Sequence, residues 1–382
     1  MKPPLCTAAH TALLVDVDKG VRPCCTYIGE HIPGKPSVGN LRDRTLPEIL
    51  DGEAWQAVRA QLEEDLVPPG CAKCIEREER SGGGQRRLME SVRPEHWRNG
   101  ITYIELNTSN VCNLRCRHCS SLFSTRWSKH EARHGRDGHP VVMPDAGLLT
   151  ENLRRVDLQW LDRIVFKGGE PMLNADCVAA LRYLDEAGVL PRVTIQTVTN
   201  ATTVNEEFLE LAARAKSCRL RLSIDGVGRV QTYIRDGGSD IAKCEEAIAR
   251  YAAMPNSVLL RSTSVMVYNV HSLDQIDDWW RGLAQRFPGN YPSHEHDWFV
   301  MWPQWLDVAC LTDATRGKLF DRYSRFQGDA YGKVLGMLCK PFAGAGRHNE
   351  FVRKTEQMDR EFGTRWQDSV PELEDEMTLL PE

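Results

Sequence analysis

Residues 111–120 read "VCNLRCRHCS" and place Cys112, Cys116 and Cys119 within eight residues. Such a group suits a structural zinc knuckle, half of a disulfide scaffold, or the open corner of an iron–sulfur cluster. Structural zinc sites close four ligands, commonly from two separated C-x-x-C pairs. This loop supplies three with no fourth nearby, and His118 lies between ligands, where its ring would point away from a metal held by its neighbours. Three thiolates from one loop suit three irons of a [4Fe–4S] cube and leave the fourth iron open.

The chain around the loop alternates two periods. Strand-like runs rich in β-branched and aromatic residues occur at 101–108 ("ITYIELNT"), 163–167, 193–199, 219–225, 258–267 and 297–302. Between them, 175–187, 205–215 and 240–253 carry apolar residues at helical spacing. Strands alternating with helices imply an α/β fold with a parallel sheet, closed as a doubly wound sheet or a partial barrel. In either case the working residues lie past the C-terminal ends of the strands. The cysteine loop follows the first strand there, "GGEP" (168–171) the second, "TN" (199–200) the third and "DG" (225–226) the fourth. That agreement marks 100–310 as an enzyme core.

The 382-residue chain is 41% hydrophobic and 26% charged, with thirteen cysteines. The length predicts two or three domains. No apolar run reaches membrane-spanning length, and the start, "MKPPLCTAAHTALLVDVDKG", is a poor signal peptide, so a cytoplasmic protein is expected. Clustered cysteines in a reducing compartment read as metal ligands or catalytic groups. Eight lie before residue 120, in groups; Cys177, Cys218, Cys244, Cys310 and Cys339 are scattered and read as small buried hydrophobes. The net charge of −5 gives no generic nucleic-acid footprint, and the arginine-rich 115–136 segment reads as a solvated face. Residues 1–99 read as a small metal-stapled module with an amphipathic helix at 46–66. Residues 311–382 read as a helical extension whose last sixteen residues, with six acidic groups, form a solvated, partly disordered end.

Residues 112–119 and 168–171 together resemble the radical S-adenosylmethionine (SAM) enzymes. The resemblance covers about 100–310 and implies a partial (β/α)6 TIM-like barrel. It also implies a [4Fe–4S] cluster on Cys112, Cys116 and Cys119 whose open iron binds SAM. In the motif Gly168, Gly169, Glu170 and Pro171, the two glycines would let the backbone approach the cofactor's amino group and Glu170 would help fix that region, while His118 would lie beside the adenine. Ser223 and Arg235, twelve residues apart, match the pair that holds the SAM carboxylate. Asn200 and Asp225 are further candidates, with a strand-end turn role as the alternative for each. The activity implied is reductive SAM cleavage, fed by a low-potential donor such as flavodoxin or ferredoxin. The resulting 5′-deoxyadenosyl radical abstracts a substrate hydrogen, giving oxidation, rearrangement or crosslinking.

The pieces "DKGVRPC", "GNL…TLPEIL" and "CAKC" resemble the SPASM or shorter twitch module, which normally follows the barrel and here precedes it. By that match Cys6, Cys24, Cys71 and Cys74 ligate a second, auxiliary [4Fe–4S] cluster, with Cys25 an alternative to Cys24. The same four cysteines would also make a zinc site. Lys167, where the family commonly has a small or apolar residue, either faces substrate or snorkels outward. Three substrate classes are open: peptides, sugars or aminocyclitols for a dehydrogenase, and amino-acid-decorated DNA bases for a phage-type isomerase. The competing reading is a non-enzymatic iron–sulfur or zinc scaffold.

Overall fold

Six strand runs read from the sequence recur, with three more ahead of them, in a computed structural model. The structure describes residues 4–28, 37–81, 84–90, 97–287, 294–299, 303–326 and 329–381. Its strands are β1 (Ala12–Val15), β2 (Gly20–Arg22), β3 (Gly39–Asn40), β4 (Tyr103–Leu106), β5 (Arg163–Phe166), β6 (Thr194–Thr199), β7 (Ser217–Ser223), β8 (Ser257–Val265) and β9 (His294–Phe299). The last, β9, starts three residues before the expected 297, and 300–302 lie outside the described residues.

The chain forms two compact units. One comprises Met1–Cys112, Ser121–Val198 and Asn205–Arg219; the other comprises Asn113–Ser120, Thr199–Val204 and Leu220–Glu382. In the first, the strand order is β3-β2-β1-β4-β5-β6. The pairs from β1 to β6 across β4 and β5 are parallel, and β1-β2-β3 is an antiparallel meander. In the second, β8 pairs in parallel with β9. This is the α/β order of a partial (β/α)6 barrel with the cysteine module N-terminal to it. Strand β6 alternates buried and half-buried residues, and β7 does the same, with Cys218, Leu220 and Leu222 fully buried. The helices between strands start where the sequence caps them: Asn174, Asn205 and Asp240 accept backbone N–H bonds at the first turns of Ala175–Glu186, Glu206–Ala212 and Ile241–Ala252.

"ALLV" (12–15) is β1, fully buried and paired with β4. Four features differ from expectation. The expected 46–66 helix is two, Leu46–Leu50 and Glu53–Glu63, because Gly52 is extended between them. Arg117 is fully buried rather than part of a solvated face, and Cys339 is exposed where its four scattered counterparts are buried. The acidic end is packed, not disordered: Leu373 and Glu376 are buried, and Glu376 accepts from Thr312 N (2.9 Å) and Thr312 Oγ1 (2.6 Å) at the start of helix Asp313–Tyr323. Counting charges could not locate those partners, since they lie about sixty positions upstream in sequence.

Two contacts tie the cysteine module to the inner strands of its unit. Ala8 and Ala12 pack with Met89, Tyr103 and Val165, and Cys6 and Cys24 lie against this cluster. Lys19, buried and at φ +68°, donates from Nζ to Thr108 O (2.8 Å) and Asp176 Oδ2 (3.2 Å). Asp176 is itself fully buried, so removing the ammonium strands a carboxylate away from water. Lys19→Met is expected to destabilise the protein by about 3–5 kcal/mol, with Lys19→Met/Asp176→Asn recovering part of the loss. Urea midpoints check this; an unchanged midpoint for the single variant contradicts it.

Candidate active site and cysteine clusters

In the first unit, the segment before Cys112 is pinned by the turn that leaves β5. Gly169 N donates to Ser109 O (2.9 Å) and Glu170 N to Val111 O (2.8 Å). The approach excludes side chains. A Cβ on Gly168 would sit 2.7 Å from Ser109 O, and one on Gly169 2.2 Å from Val111 O. Gly168 also has φ +109°, a region other residues rarely adopt. Glu170, buried, accepts from Met172 N (3.1 Å) and caps the short helix that Pro171 opens. Cys112 is half-buried, and Thr125 Oγ1 donates to its carbonyl (3.2 Å).

At the same strand ends Lys167 Nζ meets Glu105 Oε1 (3.1 Å), and Tyr103 OH donates to Glu105 Oε2 (3.0 Å). Lys167 is 36% exposed at its side chain and Glu105 only 2%. Cys25 belongs to this neighbourhood. Burial pushes its thiol up to about 12, the Glu105 carboxylate adds to the rise, and Lys167 opposes it.

Cys6, Cys24, Cys71 and Cys74 line one cavity, walled by apolar groups such as Leu5, Val58, Leu62 and Met89. Burial, with the neighbouring thiolates adding to it, pushes the Cys71 thiol up to about 12; burial also raises Cys6 to about 12 and Cys24 above its usual value. Four thiols converging in an apolar cavity repel one another once ionised, and a cationic iron centre relieves that repulsion. The donor set therefore fits a closed iron–sulfur cluster, and Cys25 is absent from the cavity lining.

In the second unit, Cys116 is buried and pairs through a two-residue ribbon, Arg115–Cys116 with Arg235–Asp236. Cys119 N donates to Cys116 O (3.0 Å), and burial raises the Cys119 thiol. Arg235, also buried, donates from Nε to Asp225 Oδ2 (2.7 Å) and from Nη1 toward Cys116 Sγ (3.8 Å). Burial lowers its pKa, but Asp225 and the Cys116 and Cys119 sulfurs outweigh that and raise it above the ordinary guanidinium value. Asp225 Oδ1 accepts from Ser264 N (2.7 Å). His118 Nε2 lies 3.8 Å from Asp225 Oδ2, and burial, opposed by Asp225, lowers its pKa to about 4. Its ring is therefore neutral at pH 7. Ser223 ends β7, half-buried.

Asn200 closes a small ring of bonds around the cysteine loop. Its Nδ2 donates to Asn113 Oδ1 (2.9 Å), its Oδ1 accepts from Thr202 Oγ1 (2.7 Å), and Asn113 Nδ2 donates to Thr202 Oγ1 (2.8 Å). Asn113, Thr202 and Arg117 carry no recognisable pattern as sequence, because their partners are non-local; the bonded loop shows their part. The structure thus gathers Cys116, His118, Cys119, Asp225 and Arg235 in one unit, and Cys112 with the "GGEP" turn in the other.

Residues 106–278 match the family model described as Radical SAM superfamily. Residues 6–75 match an iron–sulfur cluster-binding domain, SPASM. The first match brings a [4Fe–4S] cluster and SAM as cofactors, and the second an auxiliary iron–sulfur cluster. A GTP 3′,8-cyclase of Nitrobacter hamburgensis is 24% identical over 193 residues, 48% of this chain and 50% of that protein. A radical SAM cyclopropyl synthase, TigE, of Paramaledivibacter caminithermalis is 26% identical over 178 residues, 43% of this chain and 36% of that one. The chain thus spans about half or less of the length of these relatives. Among solved structures, native anSMEcpe with bound AdoMet has TM-score 0.37 at 16% identity, covering 59% of this chain and 60% of that one. Streptococcus suis SuiB bound to S-adenosylmethionine has TM-score 0.36 at 13% identity, covering 79% and 70%. The two family matches fall on the strands that carry the cysteine loop and on the four-cysteine cavity ahead of them: residues 106–278 form a domain of the radical SAM superfamily, and residues 6–75 an auxiliary iron–sulfur module of the SPASM kind, here N-terminal to it.

Proposed function

We propose that the protein binds SAM at a [4Fe–4S] cluster held by Cys112, Cys116 and Cys119 and uses it to remove a hydrogen atom from an unactivated C–H bond of its substrate. Bound together, cluster and SAM supply the electron and the radical for that step, the electron coming from a low-potential donor such as flavodoxin or ferredoxin. The observation that carries this reading is the side-chain-free approach of Gly168 and Gly169 to residues 109–111. It fixes the exit of β5 on the stem of the cysteine loop and leaves backbone there for the cofactor's amino group. Ser223 and Arg235 are the proposed partners of the cofactor's carboxylate. Arg235 is held for that task by Asp225 (2.7 Å), and its charge also faces the Cys116 sulfur. His118, neutral and partly buried, offers an uncharged ring to the adenine. Asn200 acts on the loop through Asn113 rather than on the cofactor.

Anaerobic reconstitution with iron, sulfide, SAM and dithionite tests the reaction. Wild type is expected to release 5′-deoxyadenosine and methionine, while Cys116→Ala gives none above background. Gly169→Ala is expected to reduce formation by about a hundredfold, or 2.7 kcal/mol, because its Cβ displaces the Val111 carbonyl. Equal yields from wild type and Cys116→Ala sink the proposal.

For the auxiliary cluster we propose Cys6, Cys24, Cys71 and Cys74 as ligands, with Cys25 turned to Glu105 and Lys167 instead. Its role is electron transfer with the substrate radical. Wild type should bind about eight irons per chain; Cys24→Ala should lose about half of them and Cys25→Ala none. The reverse pattern assigns Cys25 to the cluster.

Lys167 presents a cation at the strand ends, with Glu105 buried beneath it. That arrangement favours a substrate bearing a carboxylate or phosphate, as a peptide or a decorated DNA base does, over an uncharged sugar or a cationic aminocyclitol. Turnover confined to sugars and aminocyclitols in a panel of all three classes would contradict this.

A further inference from the structure

Arg117 lies between two cysteines of the loop, a position where a guanidinium has water within easy reach, yet it is fully buried. Its partners come from two distant stretches of the second unit. Nε donates to Tyr233 O (2.8 Å), and Nη2 donates to Asp359 Oδ1 (2.7 Å) and Thr364 Oγ1 (2.6 Å). The guanidinium carbon stands 3.6 Å over the Tyr233 ring and 5.2 Å from that of Phe362. Two residues earlier, Arg115 pairs with Asp236 (2.8 Å) and stands 3.7 Å over Phe362. The loop backbone is held as well, with Arg117 N donating to Ile234 O (2.8 Å).

The acceptor is built as carefully as the donor. Helix Ala345–Phe362 ends at Gly363, and the chain turns back on Asp359. Thr364 Oγ1 donates to Asp359 Oδ1 (2.8 Å) and Trp366 N to Asp359 Oδ2 (2.7 Å). The helix is seated by Phe351 and Val352, both buried, and by Thr355, which bonds Tyr268 OH (2.8 Å). Burying a charge pair is costly and seldom adds stability over an apolar replacement. What a planar fork with three fixed hydrogen-bond partners supplies is position.

We propose that residues 345–366 brace the cysteine loop, with Arg117 as the positioning residue that sets Cys116 and Cys119 for SAM binding. This rests on the reading of Cys112, Cys116 and Cys119 as the SAM cluster loop. Lysine at 117 keeps the charge but cannot span Tyr233 O, Asp359 and Thr364 together.

The test compares reconstituted full-length wild type with Arg117→Lys, Thr364→Ala and Phe362→Leu. Arg261→Lys is the control: Arg261 is an equally buried fork in the same unit, holding Asp277 (2.6 Å) and Thr263 (3.1 Å). The readouts are iron content, the SAM-induced change in the EPR spectrum of the reduced protein, and the SAM dissociation constant. The three brace variants are expected to keep their iron, lose much of the SAM-induced change, and bind SAM about tenfold more weakly, a 1.4 kcal/mol difference. Arg261→Lys, matched for loss of thermal stability, should behave as wild type. If Arg117→Lys fails to retain iron, the milder Thr364→Ala and Phe362→Leu decide. Brace variants with the wild-type SAM response and affinity overturn the proposal, as does a control that weakens SAM binding equally. A wild type with no SAM-induced change overturns the underlying reading and the brace with it.

Discussion

Two consecutive glycines at the end of β5 meet the carbonyls of Ser109 and Val111 at distances that leave no room for a β-carbon. This backbone-to-backbone contact sets where β5 ends relative to the stem of the cysteine loop. The hydrogen bonds from Gly169 and Glu170 hold that position, and Glu170 then caps the turn it has just entered. Because the contact is made by main chain, it tolerates little side-chain variation on either side. Around it, in the first unit, the parallel strands β1, β4, β5 and β6 bring their C-terminal ends together, with Lys167 and Glu105 paired there.

Charge in the second unit follows a related logic. Asp225 lies at the centre: it holds Arg235 on one oxygen, accepts a backbone N–H on the other, and faces His118. Arg235 in turn points a guanidinium nitrogen at the Cys116 sulfur. At the cluster proposed for this loop, a fixed cation beside the Cys116 thiolate would favour the more negative, reduced state. Arg117 contributes differently: its partners are a carbonyl, a carboxylate, a hydroxyl and aromatic faces, all of which orient the loop. One arginine thus serves electrostatics and the other geometry.

Much of this was legible in the sequence where it depends on local signals. The strand runs, the capped helices at 175, 206 and 241, and the two cysteine groups all have short-range signatures. The glycines of "GGEP" were legible as a close approach, although the structure adds the loop stem to the cofactor as what they approach. What stayed hidden involves partners far apart in the chain. Arg117 finds Asp359 some 240 positions on, and Glu376 finds Thr312 and Thr315, so a charge run at 115–136 and an acidic end both read as solvated. Cys24 and Cys25 are adjacent and chemically identical as letters. Only the fold separates them, one lining the four-thiol cavity and the other beside Glu105 and Lys167.

The account stands on a cluster whose protein ligands number three, leaving one iron for SAM. Mössbauer spectroscopy of protein reconstituted with isotopically enriched iron, recorded with and without SAM, addresses this directly. The account predicts that SAM moves the isomer shift of one iron of one cube and leaves every other iron unchanged. Irons that are all indifferent to SAM would contradict it.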